Sequence, residues 1–82
     1  MKRDEILSQL SAVFREVFDD EAIAAHDEMT ARDVPSWDSL SNIRMIVAVE
    51  EDLGISFSTA EITDLKNVGA LVDVIARKIG NG

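Results

Sequence analysis

The sequence contains no cysteine, which excludes disulfides and thiolate metal sites. Its only histidine, His26, is too little for a typical zinc site. The four glycines are scattered at Gly54, Gly69, Gly80 and Gly82, so there is no glycine-rich phosphate loop. A catalytic serine needs a positioned base, and a single histidine offers little to supply one. We therefore do not expect this chain to catalyse a reaction by itself.

Long apolar runs are also missing. No stretch approaches the roughly 20 apolar residues that a membrane-spanning helix needs. Residues 2–5 are charged and lead at once into an amphipathic segment, unlike a secretory signal peptide. We expect a soluble, cytoplasmic protein. Its 82 residues predict a single domain, 1–82, which is too small for a deep catalytic cleft.

Acidic residues outnumber basic residues by 16 to 8, and the formal net charge is -8. From Glu16 to Asp64 there are thirteen acids, opposed only by Arg32 and Arg44. Such a field repels nucleic acid and anionic membranes, and it attracts basic protein surfaces. The same charge could also serve solubility alone, and composition leaves both interpretations open.

The spacing of apolar residues predicts an all-α fold. Residues 4–18 have helix spacing and predict the first helix. The periodicity fades over residues 19–38, which predicts a long first loop of the kind that is often functional. A second helix is predicted over residues 39–54, with Gly54 at its left-handed end. Because this helix is apolar over more than one stripe, we expect it to be the central one.

The C-terminal third predicts two further helices. Ser58 and Glu61 form a capping box that begins a short helix ending near Leu65. Asn67 is predicted to cap the last helix, and residues 80–82 are predicted to fray. The expected architecture is a four-helix bundle of three longer helices and one short helix, with a long first loop.

Three serines cluster where the long loop meets the second helix: Ser36, Ser39 and Ser41. Ser39 begins that helix, where unpaired amides and the positive end of the helix dipole favour an attached phosphate. The alternative is that Asp38 or Ser39 is simply the N-cap residue, a common use of both residue types. Local physical chemistry leaves these two interpretations open.

Three sequence motifs follow one another along the chain. The run Asp38-Ser39-Leu40 opens a helix that ends in the acidic segment 49–55, and residues 67–75 form the last predicted helix. In these features the sequence resembles the acyl carrier protein family over about residues 34–79. The resemblance implies that the serine of this run is the attachment site of a 4′-phosphopantetheine arm derived from coenzyme A.

The resemblance also implies a carrier that is no enzyme. A phosphopantetheinyl transferase would load Ser39, and acyl-activating and acyl-transfer enzymes with basic docking patches would bind the loaded chain. The cargo would be acyl or aminoacyl groups held as thioesters, in lipid, polyketide or other secondary-metabolite synthesis. We expect a monomer with no metal site, no nucleic acid partner and no membrane partner. The residues expected on the partner-binding face are Trp37, Asp38, Leu40, Glu50 and Glu51.

A set of apolar residues either lines a cleft for an acyl chain or forms plain core. The set comprises Met45, Ile46, Val49, Leu53, Leu65 and Val68.

Three features depart from the family pattern, one of which is that residues 58–60 are less acidic than the usual start of the short helix. Trp37 stands where fatty-acid-synthase carriers usually have small residues, and it could anchor an interface or pack over the bundle. Ser41 and Arg44 stand where housekeeping carriers usually have acids, and Arg44 would weaken docking to basic patches. These departures suggest a specialised carrier. The alternative function is an unmodified acidic interaction module, which would need this surface but not the Ser39 hydroxyl.

Overall fold

A computed structural model describes residues 2–80, and within them it contains helices and no strand. The predicted all-α fold of four helices is confirmed, with one additional 3-10 helix that the sequence did not predict. In chain order the elements are α1 (Arg3–Val17), the 3-10 helix (Ala31–Asp33), α2 (Ser39–Leu53), α3 (Thr59–Thr63) and α4 (Val68–Gly80). No helix of the described part is long and apolar enough to cross a membrane.

The core lies between the three longer helices, and α1 is the helix that packs against both α2 and α4. The expectation that α2 would be the central helix is therefore wrong. One stripe of α2 faces the core, while its second apolar stripe is exposed. Burying each large apolar side chain stabilises the fold by about 1.5–3 kcal/mol. The largest fully buried side chains are Phe14, Ile6, Leu10, Met45, Leu71, Ile75, Val49, Val68 and Val72.

The helix ends follow the capping residues. Gly54 ends α2 with φ 66° and ψ 38°, the left-handed conformation predicted from the sequence. The Ser58 hydroxyl accepts a hydrogen bond from the Glu61 amide at 3.2 Å and begins α3, as predicted. The Asn67 side chain accepts from the Ala70 amide at 2.8 Å at the start of α4. Gly80 is the last residue of α4, and the other two residues of the predicted frayed tail lie outside the described residues.

The long first connection is tied to the beginning of α4. The amides of Val68 and Gly69 donate to the carbonyls of Met29 and Asp27, at 2.8 and 2.9 Å. A Cβ atom on Gly69 would lie only 3.0 Å from the Asp27 carbonyl oxygen, so this close approach favours glycine. Arg3 of α1 also pairs with the Asp27 carboxylate at 2.8 Å. These contacts give the loop that leads into α2 a defined path.

Candidate functional site

Asp38 caps the N-terminus of α2. Its carboxylate accepts a hydrogen bond from the Ser41 amide at 2.9 Å, and its carbonyl accepts from the Asn42 amide at 2.9 Å. The Ser41 amide, and secondarily the Ser41 hydroxyl, stabilises the charged form and lowers the pKa of Asp38 below its ordinary value. Asp38 is thus the N-cap residue that the sequence allowed, and its carboxylate remains exposed at the helix end.

Ser39 is the first residue of α2, and its side chain is exposed. Within residues 2–80 its hydroxyl has no hydrogen-bond partner. No cluster of His, Cys, Asp or Glu residues in the same range could hold a metal ion. The site therefore presents a reactive atom without any machinery to activate it. Such a hydroxyl suits modification by another protein better than internal catalysis.

A surface cleft of about 400 Å³ opens beside Ser39. One wall comes from α2, and the other comes from the end of the long loop and the connection between α3 and α4. Its apolar lining consists of Ala31, Trp37, Met45, Leu65, Val68 and Leu71. Its polar lining consists of Thr30, Asp38, Ser39, Asn42, Lys66 and Asn67.

The predicted apolar set divides between this cleft and the core. Met45, Leu65 and Val68 line the cleft, although Met45 and Val68 are also buried in the core together with Ile46 and Val49. Leu53 is partly buried against the core and does not line the cleft. Sequence reasoning missed Asn42, although it lies three residues after Ser39 and therefore on the same face of α2. It also missed Thr30 and Lys66. These residues lie on two distant segments that only tertiary folding brings together at the cleft, so no local sequence pattern could assign them to it.

Trp37 packs onto the bundle and also borders the cleft. Its ring centroid lies 5.5 Å from that of Phe14 and 5.3 Å from that of Phe18. The indole Nε1 donates a hydrogen bond to the Asn42 side-chain oxygen at 3.0 Å. The side chain is half-buried, so part of it remains accessible. Its expected role at a partner interface stays a prediction.

The second stripe of α2 is an exposed apolar surface. Leu40 and Ile43 are each 61% exposed and Val47 is 45% exposed, an unusual arrangement for three large apolar side chains. The exposed Arg44 lies on the same side of the helix, and no ion pair involves it in the described part. We call Leu40, Ile43, Arg44 and Val47 the α2 outer face. Of these residues, sequence reasoning assigned Leu40 to a partner-binding face and noted Arg44.

The two glutamates expected on the partner-binding face have different surroundings. Glu50 is half-buried, and its carboxylate accepts a hydrogen bond from the Phe57 amide at 2.8 Å. It therefore holds the segment after α2, a structural use that the sequence did not reveal. Glu51 is exposed and borders a groove between α1 and α2 together with Glu16 and Asp52. This end of α2 is acidic, as expected. Of the two glutamates, Glu51 is the exposed one.

Comparison with known proteins gives consistent results. The protein-family model described as a phosphopantetheine attachment site matches residues 36–75, the segment that contains the start of α2 and most of the cleft. A protein of Acidothermus cellulolyticus named acyl carrier protein is 34% identical over 76 residues, which cover 93% of this chain and 90% of that protein.

A solved structure shares the fold. It is the solution NMR structure of holo acyl carrier protein from Geobacter metallireducens, with a TM-score of 0.86 and 41% sequence identity. The match covers 92% of this chain and 86% of that chain. Both comparisons thus extend over almost the whole length of the chain, including the long first connection.

Proposed function

Because the chain belongs to the acyl carrier protein family, we propose that Ser39 is the serine that takes its 4′-phosphopantetheine arm. Proteins of this family carry and present intermediates, so the chain is a carrier and not an enzyme. Its cofactor is covalently attached 4′-phosphopantetheine. When attached, this group supplies a terminal thiol that holds acyl groups as thioesters, a function that the cysteine-free chain could not supply itself.

The observation that carries the proposal is the exposed, unbonded Ser39 hydroxyl at the start of α2. Three of the other four serines of the matched segment are engaged elsewhere, and the fourth, Ser56, is exposed but lies in no helix. Ser36 donates to the Phe18 carbonyl at 3.5 Å, Ser41 stabilises the Asp38 carboxylate, and Ser58 caps α3. Ser39 is also the serine that lines the cleft.

The start of α2 also fits a phosphodiester electrostatically. The positive end of a helix dipole and its unpaired amides favour an anion. At the start of α4 the corresponding amides are already bound, since Val68 and Gly69 donate to loop carbonyls. At the start of α2 the Asp38 carboxylate accepts the Ser41 amide, but no loop carbonyl covers the helix end, which supports Ser39 as the attachment residue.

Loading requires a phosphopantetheinyl transferase, because no side chain of residues 2–80 accepts a hydrogen bond from the Ser39 hydroxyl. The Ser39 oxygen forms a bond to the phosphorus of coenzyme A that bears the pantetheine. The bond from that phosphorus to the adenosine bisphosphate breaks, and the adenosine bisphosphate leaves. The hydroxyl proton passes to a base of the transferase. The role of this chain is to present the oxygen at an exposed helix start.

We propose that partner enzymes bind the surface around Ser39. Asp38 and Glu51 contribute exposed negative charge, Leu40 contributes apolar contact, and the accessible edge of Trp37 borders the same region. Glu50 adds to the negative field although its carboxylate is engaged. Such a surface fits acyl-activating and acyl-transfer enzymes with basic docking patches and apolar recesses.

Arg44 supports the proposal of a specialised carrier. Its positive charge lies on the α2 outer face, where it would repel the basic docking patches of housekeeping partners. We therefore propose service in a modified-lipid, polyketide or other secondary-metabolite pathway. Efficient malonyl loading and normal fatty-acid elongation with standard partner enzymes would contradict this assignment.

Intact-mass measurement tests the attachment residue. The chain is incubated with coenzyme A, magnesium and a broad-specificity phosphopantetheinyl transferase, beside Ser39→Ala and the matched control Ser41→Ala. We expect one phosphopantetheine increment on the wild type and on Ser41→Ala, and none on Ser39→Ala. An increment on Ser39→Ala would assign the arm to another residue. A folded wild type that stays unmodified, also with transferases from its own organism, would favour the unmodified interaction module.

A further inference from the structure

Trp37 separates the cleft from the aromatic residues of α1. The indole borders the cleft and also packs against Phe14 and Phe18, with ring centroids 5.5 and 5.3 Å away. Phe14 is completely buried and Phe18 is 5% exposed. Where the indole contacts these two rings there is consequently close-packed core and not open space.

A hydrogen bond fixes the indole in this position. Its Nε1 donates to the Asn42 side-chain oxygen at 3.0 Å, and Asn42 lies in α2 one turn after Ser39. The ring is therefore held by aromatic contacts on α1 and by a polar contact on α2. A phenylalanine could make the aromatic contacts, but it has no donor for Asn42.

The cleft has the size and lining to take a small acyl group. Its volume of about 400 Å³ lies toward the lower end of the roughly 300–1,000 Å³ of small-molecule sites. Met45, Leu65 and Leu71 give it an apolar surface, and Ser39 lies at its border. A group carried on an arm at Ser39 is the occupant that this placement favours, because the tether keeps its local concentration high.

We propose that Trp37 forms the closed end of this cleft and limits the length of the acyl chain that the carrier shelters. The inference rests on the proposed attachment at Ser39. Short acyl groups at the end of the arm fit within the cleft against the indole, whereas the additional carbons of longer groups remain in solvent. Trp37 is thus a specificity-determining residue, and Asn42 is the positioning residue that holds it.

The test uses the chain loaded from a series of saturated acyl-coenzyme A thioesters, and intact mass verifies each product. The thermal unfolding midpoint and the rate of thioester cleavage by hydroxylamine report how much of the acyl group is sheltered. Since each buried methylene adds a similar increment of stabilisation, both readouts are expected to change with chain length and then level off. In Trp37→Val this plateau is expected to shift to chains longer by about two or more carbons.

Three further measurements separate blocking by the indole from general loosening. Leu53→Ala, at the far end of α2 and outside the cleft, is the matched control and should keep the wild-type plateau. Asn42→Leu removes the acceptor but keeps the side-chain size, and should make the plateau less sharp. Trp37 is the only tryptophan, so its emission in the wild type should shift to shorter wavelength as the chain reaches the indole and then stay constant.

The outcomes are distinct. A wild type that takes no acyl-phosphopantetheine overturns the proposed function and this inference with it. Normal loading with the same plateau in Trp37→Val and in the wild type overturns only the role of Trp37. If Trp37→Val does not fold, Trp37→Phe replaces it. In the wild type, tryptophan emission that does not depend on acyl-chain length also overturns the inference.

Discussion

Helices α2 and α4 have similar lengths and are both rich in apolar residues, yet they use these residues differently. In α4 the large apolar side chains from Val68 to Ile75 are buried. In α2 only Met45, Ile46 and Val49 are buried, and the outer face is exposed. The core therefore needs one stripe of α2 and nearly all of the apolar surface of α4. The remaining stripe of α2 is available to other molecules, which agrees with a helix that begins at the proposed attachment residue.

The same substitution in the two helices gives the largest expected contrast. Ile75 is completely buried in α4, and Ile75→Ala should destabilise the fold by about 3 kcal/mol through lost burial and a cavity. Ile43 is exposed on α2, and Ile43→Ala should change the free energy of unfolding by less than about 0.5 kcal/mol. Urea unfolding of both variants measures the difference. Similar losses would mean that the outer face is part of the core.

Loading by a phosphopantetheinyl transferase should depend on the exposed Ile43, although the stability of the fold does not. Ile43→Ala is expected to lower kcat/KM for loading by a phosphopantetheinyl transferase roughly five- to tenfold, because an apolar contact at the interface is lost. Gln9→Ala, an exposed change on α1, serves as the control and should leave loading unchanged. An unaltered rate for Ile43→Ala would remove the α2 outer face from the transferase interface.

The beginnings of the two helices also differ, because the loop covers only that of α4. Gly69→Ala places a Cβ atom about 3.0 Å from the Asp27 carbonyl oxygen, which already accepts the Gly69 amide. Despite the better helix propensity of alanine, we expect a loss of about 1 kcal/mol in unfolding free energy. A Cβ atom at Gly80 would have no such heavy atom within 4 Å, so Gly80→Ala should not destabilise the fold. Increased stability of Gly69→Ala would show that the loop adjusts freely.

The smallest expected contrast concerns pH. Asp38 caps α2 and has a lowered pKa, whereas the cap of α4, Asn67, does not titrate. A carboxyl with a lowered folded-state pKa stabilises the fold above its unfolded pKa, near 3.8. This stabilisation is lost as pH falls through the lower, folded-state pKa.

Thermal unfolding between about pH 5 and pH 2 measures this effect. The midpoint should fall less steeply with acidification in Asp38→Asn than in the wild type. Asn67→Asp, which makes the cap of α4 titratable, should make the fall steeper. Equal slopes in the wild type and Asp38→Asn would mean that the cap contributes no pH-dependent stability.

Local signals were sufficient for most helix boundaries. The first helix was predicted within one residue at each end, and Gly54 ends α2 as expected. Caps and glycine stops act through neighbouring backbone groups, so a short stretch of sequence contains the necessary information. The 3-10 helix was missed because it spans only three residues, and α3 ends at Thr63 and not near Leu65.

The candidate site was only partly predictable. Ser39 and Asp38 were singled out because both lie at one helix start, but the second wall of the cleft comes from segments far along the chain. Glu50 was predicted as a partner-binding charge, whereas its bond to the Phe57 amide depends on how the chain turns after α2. Trp37 had two open interpretations, and only the contacts with Phe14, Phe18 and Asn42 describe its environment.

The sequence alone determined the helical class, the capped helix starts and the placement of Ser39 at one of them, because these follow from periodicity and short-range hydrogen bonds. Tertiary structure decided which apolar stripe of α2 is covered and that α1 is the central helix. It also decided that Trp37 borders the cleft beside Ser39. The physical reason is that an apolar residue favours burial in general, while only the packing of distant segments determines which apolar residues have a partner.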